Sequence, residues 1–207
     1  MSNVCGVNKV TCSSESYSGS NRPSNKYSFN LVYFDKCESS SNGGVIAPST
    51  YVPSITFTSC TFSQCHTSND EGGAIYYRSS ASSSVNVEKC IFSGCYCNMA
   101  GGAIASHVAT EVTFSTFTGC HCSACGGAIY SSPSSSLSFT CSSCTFKECY
   151  TSCGGAIDAE SNCILYCTLC NFINCYAEGS GGAIYTYGSS SSLILFFILL
   201  LNHLCDQ

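Results

Sequence analysis

Cysteine is the residue type through which this sequence could first do chemistry, since 20 of its 207 residues are Cys. The densest constellation is Cys120-His121-Cys122-x-x-Cys125, with Cys95 and Cys97 one repeat earlier. Thiolate and imidazole are zinc ligands, but the spacing is only loosely that of a zinc site. In an extended segment Cys120 and Cys122 face one way and His121 the other. A chain this rich in Cys produces such clusters by chance, so no metal set and no cofactor is assigned. The remaining readings of the cysteines are packed thiols acting as small hydrophobes and structural disulfides.

Acid–base chemistry has little to work with. Hydrolysis of a glycosidic bond needs two placed carboxylates, and only Asp70-Glu71 and the pair Asp158/Glu160 are close in sequence. The basic residues, among them Arg78, Lys89 and Lys147, form no partner set for them. A Gly-x-Ser-x-Gly elbow is absent, and no Gly-Lys-Ser/Thr follows the Gly-Gly pairs, so they are not phosphate loops. The expectation is therefore a chain without catalytic residues, with a polysaccharide-active enzyme as the alternative and a thiol-rich or metal-binding intracellular scaffold as a third reading.

The elements that would position these residues are set by an internal repeat. Gly-Gly-Ala-Ile begins at Gly72, Gly101, Gly126, Gly154 and Gly181, preceded by Gly43-Gly44-Val45-Ile46, at steps of 29, 29, 25, 28 and 27 residues. The second glycines of the later copies are Gly73, Gly102, Gly127, Gly155 and Gly182. Upstream of each lies Phe-x-x-Cys: Phe34/Cys37, Phe62/Cys65, Phe92/Cys95, Phe117/Cys120, Phe146/Cys149 and Phe172/Cys175. Seven and five residues before each Phe come further apolar pairs, such as Ile55/Phe57 and Val85/Val87, and two before it come Val32, Cys60, Cys90, Ser115, Cys144 and Cys170. A step of two is the strand period, and the break between the −5 and −2 positions predicts a bend. Each coil then reads as strand, bend, Phe strand, polar loop, Gly-Gly turn, Ile strand and Ser-rich return loop.

No single coil could bury its apolar side, but coils stacked at about 4.8 Å would pair every backbone and line up like residues. The predicted fold is all-β, a right-handed parallel β-helix of about six to seven coils, with Phe and Cys ladders inside. Gly-Gly suits a tight corner, through its tolerance of φ > 0 and its lack of a Cβ where coils approach. The period is too short for a propeller blade and the Leu pattern of a leucine-rich repeat is missing.

Gly-Gly-Ala-Ile alternating with a Phe motif resembles the repeats of the polymorphic membrane proteins of chlamydiae, whose partner motif is Phe-x-x-Asn. Here the fourth position is Cys in all six copies, which is closer to the cysteine-rich surface versions of parasitic protists such as trichomonads. The resemblance covers roughly Tyr27 to Tyr187. It implies a right-handed β-helix and an adhesin-like role at the cell surface, with a host-surface protein or glycan as partner. The residues after each Ile are Tyr76, Ala105, Tyr130, Asp158 and Tyr185; strand alternation turns them outward, so Tyr76, Tyr130 and Tyr185 are the candidate ligand contacts, against simple strand propensity.

A net charge of −5 without a Lys/Arg run excludes a nucleic-acid partner. Residues 1–26 match the repeat poorly and read as an N-terminal cap or irregular segment; 27–188 hold the repeats; 189–207 read as an apolar terminal strand or a truncated last coil. Met1 to Lys26 shows no apolar run of a secretory signal, so an extracellular placement makes the chain a fragment or one exported another way. The apolar run Leu193–Leu201 is too short to span a bilayer, which needs about 20 residues. With Cys205 taken as a seventh ladder cysteine, Leu195, Phe197 and Leu200 would point inward, Asn202 would replace the Phe, and Ile194, Phe196, Ile198 and Leu201 would be exposed. Such an end favours self-association.

Overall fold

A computed structural model describes residues 9–11, 27–48, 51–79, 82–133, 135–188, 191–201 and 204–205. The chain winds into a right-handed parallel β-helix, with no helix among the described residues. Every strand pairing between coils is parallel, and the strands form sheets of eight, seven, five and seven members running along the rod. One coil illustrates all: a lead strand Ser84–Glu88, a Phe strand Ile91–Ser93, a short strand Tyr96–Cys97 and an Ile strand Ile104–Ser106. The polar loop expected between Cys and Gly-Gly therefore holds a strand of its own. In the middle coils it is only two residues long, as at His66–Thr67 and His121–Cys122, too short for alternation to register in sequence.

Corners are made by single residues in the left-handed region. The first glycine of each turn has φ between +61° and +72°. A second corner lies three residues before each Phe, where Leu31, Ser59, Lys89, Phe114, Ser143, Leu169 and Phe197 have φ of +50° to +55°. A third lies two residues after it, at Lys36, Gln64, Gly94, Gly119, Glu148 and Asn174. The second glycine does different work. A Cβ on Gly44, Gly73, Gly102, Gly127 or Gly155 would stand 2.0 to 2.4 Å from the carbonyl oxygen of the equivalent glycine one coil on. Coils can stack at this corner only without a side chain there.

The interior is a set of ladders. The rings of Phe34, Phe62, Phe92, Phe117, Phe146 and Phe172 stack with centroids 4.4 to 4.9 Å apart. Ile46, Ile75, Ile104, Ile129 and Ile157 line the opposite wall, essentially fully buried. Cys37, Cys65, Cys95, Cys120, Cys149 and Cys175 have no exposed surface. From Cys65 onward each ladder thiol donates a weak hydrogen bond to the Phe carbonyl of the previous coil, at 3.6 to 3.8 Å. No disulfide joins the seventeen cysteines described with their side chains. In-register side chains point in parallel, so each sulfur lies beside those of the ladder cysteines on the adjacent coils as well as against a carbonyl.

The two ends differ from the sequence expectation. Lys9–Thr11 pairs in parallel with Tyr33–Asp35, adding a strand to the Phe sheet; the rest of 1–26 lies outside the described residues. In the last coil Leu193 and Leu195 pair with Leu165 and Cys167, and Leu200 pairs with Phe172. Leu200, rather than Asn202, takes the Phe place, and Cys205 pairs with Ala177 rather than with the ladder Cys175. Ile198 accordingly falls on the −2 position and packs against the core, where exposure was expected. Aligning on cysteine shifted the register by two residues, which keeps strand faces the same and so left no contradiction in the pattern. Asn202 itself lies outside the described residues. Leu193–Phe197 and Leu199–Leu201 are exposed, Phe197 most at 75%.

Candidate functional site

The three predicted contact residues Tyr76, Tyr130 and Tyr185 sit on the outer face of the Ile sheet, between inward Ile and inward Tyr77, Ser131 or Thr186 positions. They do not form a free row of rings. Ala105 and Asp158, between them in the register, have no exposed surface. His107, which the repeat pattern did not single out, stands edge-on to both Tyr76 and Tyr130, with centroids 5.7 and 5.9 Å away.

These groups form a polar chain across four coils. His107 Nε2 lies 2.9 Å from Glu71 Oε2 and Nδ1 lies 2.8 Å from the Ser132 carbonyl oxygen. The ring thus bridges the Glu71 carboxylate and the Ser132 backbone. The Tyr130 hydroxyl donates to Glu160 Oε2 at 2.9 Å. Burial raises the Tyr76 and Tyr130 phenols above their ordinary values, with Glu71 adding to the effect at Tyr76. At the far end Asp158 is wholly buried and neither carboxylate oxygen has a hydrogen-bond donor. Burial first, and then the Glu160 charge, push its carboxyl up to about 7. Cys125, Asp158 and Glu160 bring ligand atoms within 4.8 Å of one another, a donor set that could hold a cation. The carboxylate pair noted in sequence is thus real in space. Asp158, however, shows no surface to a substrate, and Arg78 lies back beside Tyr76.

A second outward row escaped the sequence reading. His66, Tyr96, His121 and Tyr150 occupy the position four residues after each Phe and stack at 4.5, 5.3 and 4.6 Å, with planes within 9°. Tyr176 follows in register with Tyr150. The signal was present as an aromatic or imidazole ring at one offset in five successive copies. Stacking occupies the ring faces, His66 Nδ1 is buried and His121 Nδ1 lies 3.2 Å from the Gly119 carbonyl oxygen, so the row offers chiefly ring edges outward. A shallow hollow of about 240 Å³ on the lead sheet, lined by Ser84, Asn86, Thr110, Glu111, Ser138 and Thr140, includes a single carboxylate.

The metal candidate read from sequence comes apart. Cys95 and Cys120 belong to the buried ladder, His121 to the outer stack, and Cys97 and Cys122 to a separate inward row in which they are register partners. The Cys122 thiol meets the Cys125 carbonyl and Thr151 Oγ1, while the Cys125 sulfur sits with Asp158 on the outer face. Alternation was right for Cys120, His121 and Cys122, and that alternation is what separates the would-be ligands.

Another grouping assembles where none was assigned. Cys141, Cys144, Cys167 and Cys170 lie at the −5 and −2 positions of two adjacent coils, all with no exposed surface. Their spacing, Cys-x-x-Cys repeated after 22 residues, was in the sequence and was masked by reading each position as a ladder. Comparison with known protein families, with curated proteins and with solved structures finds no match to this chain.

Proposed function

We propose that this chain is a non-catalytic, adhesin-like β-helix of a cell surface, a stiff rod whose outer rows recognise an extended host polymer, glycan or protein. The observation that carries this reading is the stack of His66, Tyr96, His121 and Tyr150. One ring per coil, held rigid by its neighbours, gives a linear array of ring edges at the coil spacing. A repeating partner can match such an array along its length. Loops and faces on a rigid scaffold are where binding concentrates. The Tyr76, His107 and Tyr130 face, with its carboxylates, is the second contact surface. Placement at the surface rests on the repeat's resemblance to the chlamydial and protist surface repeats.

The test is adhesion of beads coated with the chain to host cells. The expected result is binding that falls at least tenfold in the triple variant Tyr96→Ser, His121→Ser, Tyr150→Ser, and less in Tyr76→Ser, Tyr130→Ser, Tyr185→Ser. Pre-treating the cells with glycosidase or protease separates the two polymer classes. Unchanged adhesion in both variants would remove the proposal.

One observation bears on the enzyme reading: Glu160 brings a carboxylate oxygen within 4.8 Å of Asp158, although Asp158 itself shows no surface to a substrate. Hydrolysis of a polysaccharide that is lost in Glu160→Gln would establish it.

A further inference from the structure

We infer that Cys141, Cys144, Cys167 and Cys170 form a structural tetrathiolate site for a zinc ion, tying the fifth coil to the sixth inside the rod. The −5 position is Phe29, Phe57, Val87 and Val112 in the first four coils and Leu195 in the last. Only in two adjacent coils is it Cys, and both of those coils also carry Cys at −2. Each coil thus delivers a Cys-x-x-Cys pair around the bend, and parallel stacking sets Cys141 directly against Cys167.

The sulfurs converge. Cys141 and Cys170 Sγ are 3.7 Å apart, and the sulfurs of Cys141, Cys144 and Cys170 all lie within 4.8 Å of one another. Cys167, the register partner of Cys141, neighbours Cys141 and Cys170 but stands outside that trio, so a bound ion would draw its sulfur in as the fourth ligand. In a zinc tetrahedron with bonds of about 2.3 Å the sulfur–sulfur edge is about 3.8 Å. The closest pair already has that edge. The ladder cysteines neighbour one another too, but as one cysteine per coil in a single row, whereas here each of two coils contributes a pair around the bend.

The surroundings hold acceptors and donors: carbonyl oxygens of Val112 and Ser142 lie 3.4 and 3.3 Å from Cys144 Sγ, and those of Cys141 and Thr168 lie 3.5 and 3.3 Å from Cys170 Sγ. Backbone N–H groups of Ser115 and Cys144 point at the sulfurs of Cys144 and Cys170 respectively, the outer hydrogen bonds that orient and stabilise metal thiolates. Val112 on one side and Ile198 on the other close the site off from water. The exposed last coil lies next to it, which gives a metal a way in during folding.

The experiment is elemental analysis of the full chain purified without chelator, followed by zinc-edge X-ray absorption. One zinc per chain with four sulfur neighbours at about 2.3 Å is expected. After removal of zinc under reducing conditions, added Co²⁺ should give the thiolate charge-transfer band of a tetrahedral site. Cys144→Ser with Cys170→Ser should abolish both signals, while Cys95→Ser with Cys120→Ser, which alters only ladder thiols, should keep them. The absorption measurement needs no variant, so a misfolded double variant leaves the test intact. No retained zinc together with no Co²⁺ band, a zinc shell containing oxygen as Cys125, Asp158 and Glu160 would give, or mapped disulfides within the Cys-x-x-Cys pairs would each overturn the proposal.

Discussion

At the scale of the residue, the buried carboxyl of Asp158 makes the sharpest prediction. Its folded value of about 7 stands above the 3.8 of an unperturbed carboxyl. The folded state therefore holds a proton that the unfolded chain has lost between those values, and stability falls as pH rises from about 4 to about 7, then levels off. Keeping the charge in the fold costs on the order of 4 kcal/mol. Denaturant titrations across that window should show the decline in the native chain and its loss in Asp158→Asn. The glycines make a paired prediction. Gly102→Ala would place a Cβ 2.1 Å from the Gly127 carbonyl oxygen and 2.4 Å from that of His121. Gly119, also at positive φ, has nothing within 4 Å of such a Cβ. Gly119→Ala should cost about 1–2 kcal/mol from the left-handed backbone alone. Gly102→Ala should cost well beyond that, or prevent folding. Equal losses in urea melts would contradict the assignment of separate roles.

At the scale of the element, the bend before each Phe strand is a repeated strain. Phe114 holds φ of +50° with its ring 60% exposed, so it adopts a disfavoured conformation with little burial in return. Phe114→Gly should stabilise the chain by about 1 kcal/mol, visible as a raised melting temperature. A loss of stability would mean that the exposed ring packs usefully. This corner also shows where sequence reading stops. The Gly-Gly turn was legible because geometry admits one residue type there. The −3 corner accepts Leu, Ser, Lys and Phe, so nothing in composition marks it, although the broken period implied a bend. The short strand was hidden by its two-residue length. His66, Tyr96, His121 and Tyr150 were hidden by attention to the inward ladders, since outward offsets carry no apolar signature. The Cys-x-x-Cys pairs were legible in principle, and only the fold brings the two pairs into one place.

For the molecule as a whole, the last described coil pairs with the coil before it on one side and shows an apolar surface on the other. The chain is expected to associate with a second copy through Leu193–Leu201, because this edge offers exposed leucines. Light scattering should show mass rising with concentration, and Leu199→Lys with Leu201→Lys should return the chain to a monomer. A native chain that stays monomeric throughout would rule this out. Overall architecture was readable from the repeat because every coil solves the same packing problem. The terminal register was not, because a shift of two preserves the face pattern and only pairing to Phe172 distinguishes the alternatives.

The parallel stacking has a mechanical consequence. Backbone hydrogen bonds between coils point along the rod, so tension applied between its two ends loads them end-on, and each coil is bonded only to the coils on either side. Under such tension the rod should shed one coil at a time from an end, each detachment paying out 25 to 29 residues of slack chain, about 90 Å at about 3.4 Å per residue. A rod that yields in nearly equal steps lengthens under load while its remaining coils stay folded.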